Sequence, residues 1–123
     1  MNGQQMVEHL SDILKISNGN RKIDVFVEDE KAKRRKPFLD SENEIEPGFK
    51  PSLLSDEPRA LKYAAMQEAI DDLLQQILDF EKMYTDNSSK TIVHPFFGDL
   101  DFEYWKKFHV KHFTHHFKQF GLI

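Results

Sequence analysis

Three stretches of the chain carry hydrophobic residues at helical spacing, and one long stretch does not. On a 100° wheel of residues 4–17, Met6, His9, Leu10, Ile13, Leu14 and Ile16 share one half, with Val7 at its edge. Glu8, Ser11, Asp12 and Lys15 take the other half, as in an amphipathic helix, and Asn18-Gly19 supplies a C-terminal stop. Residues 58–84 form the clearest helical pattern. Ala65, Ala69, Leu73, Ile77, Phe80 and Tyr84 run down one face, Met66, Ile70 and Leu74 lie beside them, and Asp71, Asp72 and Asp79 point largely outward. Ser55 and Asp56 are N-cap candidates, and Pro58 suits a first turn. A last helix is predicted over 101–120, with Asp101 as N-cap and Gly121 just past its end. Phe102, Trp105, His109, His112, Phe113, His116 and Phe120 fall within an arc of roughly 100°, opposite Lys107, Lys111, Thr114 and Lys118.

Residues 19–58 lack this order. Ile23, Val25 and Val27 alternate, a weak strand signal. The basic run Lys31–Lys36 reads as a solvated helical or loop face. Pro47, Gly48, Pro51 and Pro58 then argue against long regular structure. A stretch of this length in a small domain is either a cover over a functional site or a partly mobile segment. Residues 85–90 read as a loop. Residues 91–100 read as a connector broken by Pro95 and Gly98.

The length, 123 residues, predicts one domain spanning 1–123. A chain of this size buries roughly two-thirds of its unfolded surface, and 11 Phe supply much of the packing area. A net charge of −4 disfavours nucleic acid as a partner. The absence of cysteine excludes disulfides, thiolate catalysis by this chain and cysteine-based metal sites. No apolar run is long enough to span a bilayer, and the N-terminus lacks the pattern of a signal peptide. The expectation is a cytoplasmic protein with no membrane partner.

Candidate chemistry concentrates in FHVKHFTHHFKQF, which holds His109, His112, His115 and His116 out of six histidines in the chain. His112 and His116, four apart, would stand one helical turn apart on the same side and share one ion. The zinc-protease motif H-E-x-x-H has the same geometry, but Phe113 stands where that motif requires its Glu. His109, His112 and His116 on one helix span nearly two turns, so a ligand from a facing helix serves one ion better. His9 qualifies, because it lies in the apolar arc of the first helix, where an unpaired imidazole is costly. A site of His9, His112 and His116 leaves coordination positions open for water or substrate, the pattern of catalytic metal sites. Gln119 is placed to orient a ligand from behind. His109 is read as a core residue, with a fourth ligand or a substrate contact as alternatives. His115 is read as a rim residue and His94 as structural. The stripe Phe102, Trp105, Phe113, Phe117 and Phe120 is read as core. No nucleophile elbow, phosphate-binding loop or dinucleotide motif is present.

The segments MNGQQMVEHLSDIL and HPFFGDLDFEYWKKFHVKHFTHHFKQFGL resemble the DinB-like (YfiT-like) superfamily of bacterial metalloenzymes, closest to a branch known only as a domain of unknown function. The resemblance implies an all-α fold, an up-down four-helix bundle with a long crossover between its second and third helices. It also implies a divalent ion, often nickel or zinc, bound by one His of the second helix and two of the last. Carried over, these are His9, His112 and His116. Characterised members include thiol-dependent transferases, using bacillithiol or mycothiol, and hydrolase-like proteins, so a small-molecule substrate is implied. This chain begins inside the turn leading to the second helix, and so the expected fold is truncated N-terminally by one helix. The resulting apolar groove would be filled by residues 19–58 or by a second copy, and self-association to a dimer is the favoured expectation. Two functions compete: a metal-dependent enzyme, and a non-catalytic helical interaction module with structural or pH-sensing histidines.

Overall fold

The computed structural model describes residues 1–47 and 60–123. It is mostly helical. Helix α1 spans Gly3–Ser17, α2 Asp29–Arg35, α3 Pro37–Asp40, α4 Met66–Asp86 and α5 Phe102–Gln119. A two-stranded antiparallel hairpin, β1 (Ile92–His94) and β2 (Gly98–Leu100), precedes α5.

Two of the three long helices are opened by a side-chain cap. Asn2 Oδ1 accepts the Gln5 backbone N–H at 2.8 Å while Gln5 Oε1 accepts that of Asn2 at 2.7 Å, a reciprocal cap that opens α1. Asp101 caps α5 by accepting the Tyr104 N–H at 3.0 Å. Helix α4 begins at Met66 with no side-chain cap, later than the expected 58. The expected cap residues Ser55 and Asp56, and Pro58, lie outside the described residues.

The core forms where α1 packs against α4, α5 and the hairpin. Leu10, Ile13, Leu14, Trp105, Phe108 and Leu100 are all at most 2% exposed. Trp105 donates its indole N–H to the Ile92 carbonyl at 3.0 Å, and Tyr84 donates its hydroxyl to the Ser17 carbonyl at 2.9 Å. Burial pushes the Tyr84 hydroxyl pKa up to about 12, so it remains a donor throughout the physiological range.

Four features differ from the sequence expectation. The first concerns α1, whose outer half was expected in water. Glu8, Ser11 and Asp12 are buried there, and residues 62 and 63 lie against Glu8 and Asp12. Glu8 accepts the Lys62 backbone N–H at 2.7 Å, Gln4 donates to the Tyr63 carbonyl at 2.8 Å, and Lys62 pairs with Asp12 at 2.5 Å. The second is Phe108, off the predicted arc yet 1% exposed. It is buried because the hairpin packs on a flank of α5 that the wheel left outside both arcs, with Phe97 and His94 against its ring. The third is the hairpin itself, in place of a connector. His94 Nδ1 accepts the N–H groups of Phe96 and Phe97 at 3.0 and 3.2 Å and so closes the turn. Gly98 ends the turn at φ +76°, where a Cβ would meet the Ala32 Cβ at 2.8 Å. The fourth is residues 23–27. Ile23, Val25 and Val27 are half-buried and alternate with exposed Asp24 and Phe26, but no neighbouring strand pairs with them among the described residues.

Phe108→Ala is expected to lower unfolding free energy by about 3–5 kcal/mol, whereas Val110→Ala, at a 62% exposed position, shifts it by about 0.5 kcal/mol or less. Denaturant midpoints of the two variants check this. Equal small effects would contradict the two-sided burial of α5.

Candidate metal centre

His9 is presented by α1, and His112 and His116 by successive turns of α5. His112 Nε2 stands 3.1 Å from His9 Nε2 and 3.2 Å from His116 Nε2. One ring nitrogen from each of the three lies within 4.8 Å of the other two. The rings meet edge to face, at interplanar angles of 76°, 78° and 74°, so no pair stacks and all three converge. All three side chains are buried.

The donor set suits a cation better than it suits itself. Gln119 Oε1 lies 2.9 Å from His116 Nδ1, and with the Nδ1–H donating there the His116 Nε2 is a bare lone pair. His112 Nε2 carries either one proton or one lone pair, so it makes at most one linear hydrogen bond to its two close neighbours. An ion satisfies all three. Nitrogen ligands at about 2.05 Å in a tetrahedral arrangement stand about 3.3 Å apart, close to the two Nε2 separations seen here. Burial holds the His112 pKa well below its usual value, and positive charge on His9 or His116 would lower it further. His112 is therefore neutral at pH 7, the form that ligates. Its Nδ1 has no hydrogen-bond partner, and the ring lies almost flat on Phe108 at 22° and 5.2 Å.

A cavity of about 370 Å³ opens beside the cluster, and His9 is part of its wall together with Glu8, Asp12 and Lys62. Glu8 and Asp12 escaped the sequence reading, which placed them on a solvated face. Their signal was only their spacing on α1, where they flank His9 on successive turns.

The other histidines are not brought into the cluster. His109 Nε2 donates to Ser17 Oγ at 2.8 Å, since that hydroxyl itself donates to the Leu14 carbonyl. Its ring stacks on Trp105 and meets Phe80 edge-on, a core role. Burial pushes its pKa down to about 3. His94 is fully buried in the hairpin, where desolvation lowers its pKa well below the usual value. His115 Nδ1 donates to the Ile45 carbonyl at 3.2 Å, at the half-buried edge of α5.

The class thus defined is a helical protein with a buried three-histidine cluster able to hold a metal ion. The chain belongs to the family described as protein of unknown function (DUF1569), whose profile matches residues 50–121. That match contains His112 and His116 and ends short of His9. No curated protein and no solved structure matches the chain. Among the described residues no helix is long and apolar enough to cross a membrane.

Because His109 is neutral when folded and titrates near 6.5 when unfolded, protons bind the unfolded state preferentially below pH 6.5. The stability it contributes is complete above that pH and is lost as pH falls towards 3, by about 1.4 kcal/mol per pH unit. Urea unfolding of wild type and His109→Gln between pH 5 and 7.5 should show a shallower acid limb in the variant by about that slope. Parallel limbs would show that His109 is already charged in the fold.

Proposed function

We propose that this protein is a metal-dependent enzyme of the DinB-like kind, of transferase or hydrolase type, with nickel or zinc held by His9, His112 and His116. The observation that carries the reading is the convergence of three buried Nε2 atoms, two pairs at 3.1 and 3.2 Å, with His9 shared between the cluster and the cavity. A bound divalent ion supplies Lewis acidity, which lowers the pKa of a water or thiol brought to it. The chain's own residues do the rest. Gln119 orients His116 through Nδ1. Phe108, 1% exposed, lies against the His112 ring and excludes water behind it. Glu8 and Asp12 fix residues 62 and 63 against α1 and so shape the cavity mouth. The DinB-like resemblance supports this assignment by placing the same three histidines as ligands, and a cytoplasmic location accords with it.

Tag-free protein, never exposed to a nickel column, is expected to carry about one divalent ion per chain by elemental analysis. His112→Ala and His116→Ala should lose it, and a chelator should lower the melting temperature of wild type alone. Wild-type protein that takes up neither zinc nor nickel when offered them would overturn the reading. The competing one, a non-catalytic module with structural or pH-sensing histidines, would then account for the cluster.

Self-association is part of the proposal. On α4, Met66, Leu74 and Leu78 are 38%, 55% and 58% exposed and recur at four- or eight-residue spacing, a stripe that a second copy would cover. Sedimentation should give a dimer mass for wild type and a monomer mass for the double variant Leu74→Glu, Leu78→Glu. A monomeric wild type at high concentration removes the dimer from the account.

A further inference from the structure

The cavity beside the histidines is charged, and most of its charges are already matched. Asp12 pairs with Lys62 at 2.5 Å. Lys15 pairs with Asp72 at 3.2 Å, and the Asp72 carboxyl, although burial pushes it up, is held below its usual pKa by bonds from Gln76 and Lys15. Glu8 is engaged by Gln4 and by the backbone of Lys62 and Tyr63. The Arg21 side chain is different. It lines the cavity, is half-buried, and makes no hydrogen bond or ion pair through its side chain among the described residues. Its backbone is well fixed, since its N–H donates to the Lys15 carbonyl at 2.9 Å just past the end of α1.

A half-buried guanidinium with five unused donors, set in a cavity wall, is built for a planar two-oxygen anion. We infer that Arg21 is the anchor for the carboxylate of a small organic acid whose other end reaches His9. The span follows from the helix. His9 and Lys15 are six residues apart on α1, which is roughly 9 Å of helix rise, and Arg21 sits beside Lys15. The ligand is therefore a small monocarboxylate, of a size that a cavity of about 370 Å³ accommodates. A single negative charge is favoured over the double charge of a phosphate ester, because the other two cations of the wall, Lys15 and Lys62, are already paired with Asp72 and Asp12 and leave one guanidinium for the anion. The anion site stands on Arg21 and the cavity. Only the placing of the reacting end at His9 rests on the metal-enzyme reading.

Titrations of full-length protein with hexanoate, hexanamide and hexyl phosphate, followed by amide chemical shifts, test the assignment, each with zinc added and again with chelator. Hexanoate should bind with shifts at Arg21 and along the His9 face of α1, hexanamide at least tenfold more weakly, and hexyl phosphate no more tightly than hexanoate. Arg21→Gln should weaken hexanoate by about tenfold and leave hexanamide unchanged, with Arg21→Lys in between. Arg21 makes no bond through its side chain, so the Gln variant should melt with wild type, and the melt verifies that it is folded. Hexanoate binding that ignores Arg21→Gln, or equals that of hexanamide, overturns the anchor. Tighter binding of hexyl phosphate overturns the monocarboxylate class. Arg21-dependent binding of hexanoate in protein that takes up no zinc would leave the anchor standing and sink the metal reading, so the two failures are separable.

Discussion

Helix α1 runs through the protein with Met6 to Leu14 continuously out of water, apolar and polar residues alike. Whatever surrounds it must supply either apolar contact or a hydrogen-bond partner, because a buried polar group left unpaired costs about 1–3 kcal/mol. That requirement organises the rest, although Ser11 Oγ stays buried with no partner among the described residues. Helix α4 and the hairpin meet its apolar half. Residues 62 and 63 meet its acidic half, bringing a backbone N–H to Glu8 and an ammonium to Asp12. Helix α5 meets the one position where the apolar face carries an imidazole, His9, and answers it with two more.

The histidine cluster and the cavity share a cause. Each is a place where α1 presents polar atoms to the interior. At His9 the answer is three imidazole nitrogens converging, a frustrated arrangement for imidazoles alone and a stable one around a cation. On the neighbouring turns the answer is ion pairs and backbone donors that hold a wall in place and leave Arg21 uncommitted. The Phe108 ring, packed against His94, His109 and His112, keeps water from the back of the cluster. It also keeps His94, His109 and His112 neutral by desolvation.

The three long helices were legible because their packing partners impose a period of 3.6 residues, which survives in a linear sequence. The pairing of His9 with His112 was legible for a related reason: each imidazole occupies the apolar arc of its own helix, where it needs a polar partner. What escaped was set by contacts distant along the chain. Glu8 and Asp12 look like solvent-facing residues until Lys62, some fifty positions on, lies across them. Phe108 looks like a flank residue until the hairpin packs on it. The hairpin itself depends on one imidazole, His94, accepting two N–H groups, which no strand propensity records. Ile23, Val25 and Val27 show the converse: their alternation is real in their burial but lacks a neighbour to make a sheet. Arg21 had no sequence signal, since a lone arginine after a helix end is ordinary until its cavity is seen.

In the proposed site three imidazoles, two from α5 and one from α1, close on a single ion. X-ray absorption at the metal edge of zinc-loaded protein reads this directly. The account predicts three imidazole nitrogens at about 2.0–2.1 Å together with one or more oxygen ligands, and loss of one imidazole in His9→Ala. A metal environment of oxygen alone, or one that His9→Ala leaves unchanged, would contradict it.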